Sequence, residues 1–367
     1  MIDVIIGILF GMVTAFLPGV HINTFVFLFS SVLTSESTLI GIGLFSVVGI
    51  LPSIFIGVPD ADTIGSFFPI QRFMAEGGLR KGIFLIILSS ILSALLSSLL
   101  INIFPTMVVD SYFLIQSIIP FILAFFIGYN IFTGSWGDRV VIILSSVFGF
   151  ILFNLPTEDV LLPTFAGLFA IPFLLASFNK ETTFPRQIKQ KTQFPIVFVL
   201  IGIVLGIFAA VLPAVSSPAQ LAVVATPFIQ SSEAFLVLST AILVSKHFFA
   251  LSMKTDLGKP RIGAYNFIEI PEFGWLFLLF GVIVGAFILY IILNKITKIQ
   301  IKRNKIQLIS SILIAYLFFL TFIFHEWIGL IILICATSLG LLSNTLNSKK
   351  TNLMNVIIGP TFLRFIL

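Results

Sequence analysis

The chain is 367 residues long, 58% hydrophobic and only 10% charged, with a mean hydropathy of +1.18. Soluble domains carry about 25% charged residues, so a water-soluble domain is excluded and an all-α polytopic membrane protein is expected. A net charge of +5 without a basic face interleaved with exposed aromatics argues against nucleic-acid binding. One cysteine, Cys335, excludes an internal disulfide and any cysteine-cluster metal site.

No basic region precedes the first apolar arm, so no cleavable signal peptide is expected. Residues 7–33 hold an apolar arm of about 11 residues, a break at Leu17-Pro18-Gly19, a short polar run with His21, Asn23 and Thr24, and a second apolar arm. An arm of that length rises only ~16 Å as a helix, about half of a bilayer core. Pro18 removes a helical donor and Gly19 frees the backbone, which predicts two half-helices meeting at an irregular apex. Irregular backbone at membrane depth survives where it is buried in protein or lines a cavity, so the apex is a candidate binding site.

Apolar segments follow at about 38–58, 82–103, 112–133, 139–155 and 160–178. Pro52-Ser53 and then Val58-Pro59-Asp60-Ala61-Asp62-Thr63 interrupt the first of these with polar groups. Asp60 and Asp62 are candidates to hold Na⁺ together with backbone carbonyls, or to carry a proton. The alternative is a helix cap by either aspartate. Glu158-Asp159 reads as a plain external turn, and no metal cofactor is expected.

The polar linker at residues 179–194, with Lys180, Arg186, Lys189 and Lys191 against Glu181, separates a first unit (1–178) from a second (195–367). The second unit opens as the first does. Gly202-Ile-Val-Leu-Gly206 and Leu212-Pro213-Ala214-Val215 match Gly7-Ile-Leu-Phe-Gly11 and Leu17-Pro18-Gly19-Val20 at one constant offset. Ser216, Ser217 and Gln220 occupy the second apex. Segments near 233–253, 271–294, 306–324, 326–343 and 353–367 follow, and Trp136, Trp275 and Trp327 fall at segment ends, where interfacial aromatics belong. His325-Glu326 reads as another short turn. Lys246, inside the apolar Ser245-Lys246-His247 run, is a costly buried cation and so a functional candidate, suited to an anionic substrate.

Basic clusters mark cytoplasmic loops. The linker, residues 72–81, Asp138-Arg139, residues 295–305 and Lys349-Lys350 all fall on one side if each Leu-Pro hairpin enters and leaves on the same face. Five crossings then remain in each half, about ten in all. The second half is inserted upside down, giving an inverted-topology repeat with two broken-helix, re-entrant hairpins. Lys246, Lys254, Lys259 and Arg261 break the pattern; the last two read as solvated loop charges beside Asp256. Inverted repeats with discontinuous helices near the midplane are a secondary-transporter architecture.

These residues resemble the large membrane subunit (permease) of the tripartite tricarboxylate transporters, as a compact member. The likeness rests on Leu17-Pro18-Gly19, Pro52-Ser53-Ile54, Val58-Pro59-Asp60-Ala61-Asp62-Thr63 and Glu76-Gly77-Gly78-Leu79-Arg80-Lys81-Gly82. In the second half it rests on the repeated Leu-Pro arm and on Gly258-Lys259-Pro260-Arg261-Ile262-Gly263. Ala214 stands where a glycine is typical, and His21 and Asn23 where small residues are. The resemblance implies cation-coupled uptake of carboxylates across a prokaryotic cytoplasmic membrane, with a small membrane subunit and an extracytoplasmic binding protein as partners.

The expected function is therefore a secondary active carrier for a small organic anion, with Na⁺ or H⁺ as coupling ion and a homodimer left open. The substrate is assigned to Pro18, Gly19, His21, Asn23, Thr24, Pro213, Ser216, Ser217, Gln220 and Lys246, and the coupling ion to Asp60 or Asp62. Half-helix N-termini favour anions. Two rivals stand beside it. One is a channel or non-transporting subunit. The other is an intramembrane lipid-modifying enzyme, for which Ser216 or Ser217 with His21 would need an orienting carboxylate that no motif supplies.

Overall fold

The computed structural model of the chain describes residues 2–20, 22–104, 112–157, 160–179, 181, 185–188, 193–215, 217–225, 229, 231–260, 262–296, 299 and 301–366. His21, Glu158, Asp159, Lys180, Lys189, Lys191, Ser216, Arg261 and Lys298 lie outside them.

The regular elements among the described residues are all helices. The first half holds α1 (Ile2–Phe16), α2 (Ile22–Phe29), α3 (Ser35–Val48), α4 (Leu51–Phe55), α5 (Ile64–Ala75) and α6 (Leu79–Leu100). It continues with α7 (Tyr112–Thr133), α8 (Trp136–Leu152), α9 (Leu161–Phe165), a π-helical turn (Ala166–Ala170) and α10 (Ile171–Ser177). The second half holds α11 (Val197–Val211), α12 (Pro218–Ala225), α13 (Ser232–Leu257), a 3₁₀ turn (Gly263–Phe267) and α14 (Gly274–Ile296). It ends with α15 (Arg303–Thr345), a second 3₁₀ turn (Lys350–Met354) and α16 (Asn355–Ile366). Helix starts follow local chemistry. The Thr34 and Ser231 side chains cap α3 and α13, and Ser135 with Asp138 forms a capping box on α8.

Among the described residues, six helical stretches are long and apolar enough to cross a membrane: Ser35–Phe55, Leu79–Leu100, Gln116–Thr133, Ser232–Leu257, Gly274–Leu293 and Arg303–Thr345. Ile2–Phe16, Leu161–Ser177 and Val197–Val211 are shorter apolar helices. Their outer faces carry large apolar side chains in the open, such as Phe121 at 74% and Phe287 at 61% exposure, as a lipid solvent requires. The two segments expected at 306–324 and 326–343 run together as α15, broken at Glu326, whose φ of 51° and ψ of −144° are not helical.

Packing in the second half repeats that in the first. Gly7 and Gly11 of α1 lie against Ser37, Ile40 and Gly41 of α3; Gly202 and Gly206 of α11 lie against Leu238, Ala241 and Ser245 of α13. A Cβ on Gly206 would stand 1.9 Å from Ser245 Oγ, so the backbones approach as only small residues allow. Ile2–Phe16 and Val197–Val211 lie 195 residues apart at both ends. The halves also exchange partners. α3 packs on α14, α6 on α13, α2 on the 3₁₀ turn Gly263–Phe267, and α12 on α5. The main core therefore lies between the halves, with Leu44 and Phe45 joined to Phe248, Tyr265 and Leu278.

Contacts at the helix ends fix which ends are neighbours. Thr34 donates to the Asp3 carboxylate at 3.0 Å, which brings the start of α1 to the start of α3. Phe194 and Pro195, just before α11, share a cavity with Ser231 and Glu233 at the start of α13. Lys81 pairs with Glu233 at 2.7 Å, Ile188 N–H donates to Gly77 C=O, and Arg303 donates to Phe178 C=O. Arg72 lines one cavity with Ser231, Lys349 and Lys350, so residues 72–81, the start of α13 and residues 349–350 together form a basic end of the molecule.

Candidate functional site

Both Leu-Pro breaks interrupt their helices, and both turn the chain through a left-handed residue. After α1 the turn at residues 17–20 places Gly19 at φ 92°, free for a residue without Cβ. After α11 Leu212 is extended and Ala214 takes φ 66°, a conformation that costs an L-residue about 1 kcal/mol. The eight-residue helices α2 and α12 then lead away from the breaks.

A cavity of about 460 Å³ opens beside these turns, within the range of small-molecule sites. Asn23, Thr24, Asp62, Ala214, Lys246 and Asn266 line it together with an apolar wall that includes Phe27, Phe153, Phe165, Phe267 and Met354. Lys246 Nζ stands 2.6 Å from Asp62 Oδ1, with the two side chains 3% and 5% exposed. The pair joins α13 of the second half to the 60–63 turn of the first. Stranding one partner of such a pair typically costs about 3–5 kcal/mol, which explains why a lysine is tolerated in the middle of α13. Asn23 Oδ1 accepts from Ala264 N–H at 3.0 Å, fixing α2 to the 3₁₀ turn. The 60–63 turn is held by Asp60 N–H donating to Thr63 Oγ1 at 3.0 Å and by Ser217 donating to Ala61 C=O at 3.4 Å.

The residues singled out from sequence divide accordingly. Asn23, Thr24, Asp62 and Lys246 share the cavity lining with Ala214 of the second apex. Gly19 instead packs on Ala170 and Leu317, and Pro18, Pro213, Asp60, Ser217 and Gln220 are not among its lining residues. Ser217 and Gln220 are buried, and the Gln220 amide has no hydrogen-bond partner in the described structure. His21 and Ser216 lie outside the described residues. The capping alternative for the aspartates is not what forms: Thr63 occupies the N-cap of α5 with no side-chain cap bond, and Asp62 turns to Lys246. Asn266 was missed by sequence reading, although it follows the Gly258–Gly263 stretch by three positions.

A second cavity, of about 720 Å³, opens at the basic end, lined by Ile64, Gly65, Arg72, Ala219, Lys349 and Lys350 among others. Lys350 donates to Ser343 Oγ at 3.0 Å, and burial pushes its ammonium down to about 8. Three strips of chain contribute to both cavities at positions two to five residues apart. Asp62 faces one and Ile64 the other; Ala214 and Ala219 divide likewise, as do Met354 and Thr351.

The tripartite tricarboxylate transporter TctA family matches residues 1–226. An uncharacterized protein of Methanocaldococcus jannaschii is 28% identical over 397 residues, covering 99% of this chain and 98% of the relative. No solved structure matches.

Proposed function

Because the chain belongs to the tripartite tricarboxylate transporter TctA family, whose members are transport components and not enzymes, we propose that it is the permease itself, a secondary carrier that binds a small carboxylate in the 460 Å³ cavity. The observation that carries this reading is the buried Lys246–Asp62 pair in a cavity also lined by Asn23, Thr24 and Ala214. The lysine supplies charge for a carboxylate, the asparagine and threonine supply polar groups, and the aromatic wall excludes water around them.

The architecture proposed for it is an inverted-topology repeat of units 1–178 and 195–367, each led by a re-entrant hairpin. Three features support this: the recurrence of the leading helix α1 as α11, the exchange of partners between halves, and the meeting of helix starts at Asp3 with Thr34 and at Pro195 with Ser231. Two cavities that draw on the same three strips of chain suit alternating access, in which the partition between them shifts from one face to the other. Asp62, with Asp60 beside it, is the proposed coupling site for Na⁺ or H⁺. A small membrane subunit and an extracytoplasmic binding protein are the proposed partners, and the prokaryotic cytoplasmic membrane the proposed location.

Citrate uptake into proteoliposomes tests the reading. The carrier concentrates labelled citrate against its gradient when an inward cation gradient is imposed, and Asn23→Ala or Lys246→Met abolishes this. Conductance without concentrative uptake makes the protein a channel; unchanged uptake in both variants removes the site.

A further inference from the structure

We propose that Asp62 is a resident counter-anion: it holds Lys246 while the site is empty, yields it to a carboxylate of the incoming solute, and in yielding takes up one monovalent cation, a proton or a sodium ion. The inference rests on the reading of the cavity as a carboxylate site. It follows from where charge already stands. Lys246 Nζ lies 2.6 Å from Asp62 Oδ1, and both side chains are nearly inaccessible while lining the cavity. An entering carboxylate therefore meets a cation that is already neutralised. To gain Lys246 it breaks one ion pair and makes another, and the buried site then holds one more negative charge than before, a state that is strongly disfavoured. One cation on Asp62 restores neutrality: ammonium with the solute carboxylate, Asp62 with its cation.

The mechanics favour movement of the aspartate and not of the lysine. Lys246 sits in the middle of the 26-residue helix α13. Asp62 sits in a short turn between α4 and α5, held to the second half by Ser217 through Ala61. Releasing Asp62 thus loosens a tie between the two halves at the moment the site fills. Other titratable groups stand near the pair among the described residues. Asp60 is on the same turn, His247 is next on α13, and Tyr265 donates to the His247 carbonyl at 3.0 Å. α11 and α12 have no charged residues, and α3, α5, α6, α14 and α16 carry theirs in terminal turns. α13 has its other charges in its own end turns, and His21 and Arg261 lie outside the described residues.

The test uses the full chain in detergent with citrate as probe, affinity being read from thermal stabilisation. In wild type, either acidification or added sodium at alkaline pH strengthens citrate binding by about tenfold, and which of the two acts identifies the cation. Asp62→Asn binds citrate without that dependence; citrate's own protonation is common to both proteins, so the difference between them is the readout. Should Asp62→Asn not fold, wild type alone decides: citrate binding draws about one proton from a weak buffer, or about one labelled sodium ion, per citrate bound. Citrate that binds wild type with no cation uptake, or an Asp62→Asn protein that keeps the wild-type dependence, overturns the counter-anion while leaving the carboxylate site standing. Citrate that fails to bind wild type under every condition removes the site itself.

Discussion

Asp62 and Asp138 are both buried carboxylates that bind distant parts of the chain together, and they are held by different chemistry. Asp138 accepts from Ser135 N–H and Oγ, from Ser348 Oγ, from Lys349 N–H and from the Asn352 amide, all neutral donors at 2.6–3.0 Å. Asp62 meets the ammonium of Lys246. Neutral donors converging on one carboxylate make a latch that can only be broken piece by piece, and it fixes the 348–352 segment along the basic-end cavity. A charge–charge pair can be exchanged in one step for another carboxylate. A structural aspartate and one proposed to be functional can thus be equally buried; what separates them is whether the partner has another use.

The difference between the two aspartates is tested most severely at Lys246. Lys246→Met removes the ammonium beside Asp62 and should cost about 3–5 kcal/mol, seen as a large fall in unfolding temperature together with lost uptake. Adding Asp62→Leu to it should recover most of that stability but none of the uptake, since the charge exchange has gone. Asp138→Ala leaves several donors unsatisfied and should cost about 2–3 kcal/mol, with citrate affinity unchanged once the protein is folded. Binding that fell with Asp138 would erase the distinction between the two aspartates. Ala214→Gly should raise stability by about 1 kcal/mol by relieving the left-handed backbone. The smallest effect concerns Lys350. Its charge is favoured less in the folded protein than in the unfolded one, so the penalty is present in full below about 8 and fades as pH rises from there toward 10.5. Stability should therefore climb slightly across that window, and Lys350→Met should flatten the climb.

Much of the scaffold was legible because its signals are local. A glycine pair four apart, a Leu-Pro break and a lysine in an apolar run each declare themselves within a few residues. Helix boundaries such as Tyr112–Thr133 agree with the expected 112–133 segment for the same reason. The Asp62–Lys246 pairing was not legible, since 184 residues separate the partners and only the fold unites them. Nor was the aromatic wall: Phe occurs 43 times, and nothing in spacing distinguishes Phe165 from the phenylalanines that face lipid. Gly19 was read as a binding residue, but the turn aims it at Ala170 and Leu317. After a break, the rotation of a short helix is set by what it packs against, so the placing of Ser217 and Gln220 away from the cavity lining could not be read from the order of residues.

The packing beneath the basic-end cavity has an electrical consequence for the proposed carrier. Ile64, Phe67 and Ala219 pack together with Phe173, and Ile64 and Ala219 also line that cavity. If the two cavities serve opposite faces of the bilayer, this hydrocarbon is where membrane potential drops, and a polar side chain at Ala219 should short it, letting small ions leak where none were carried before.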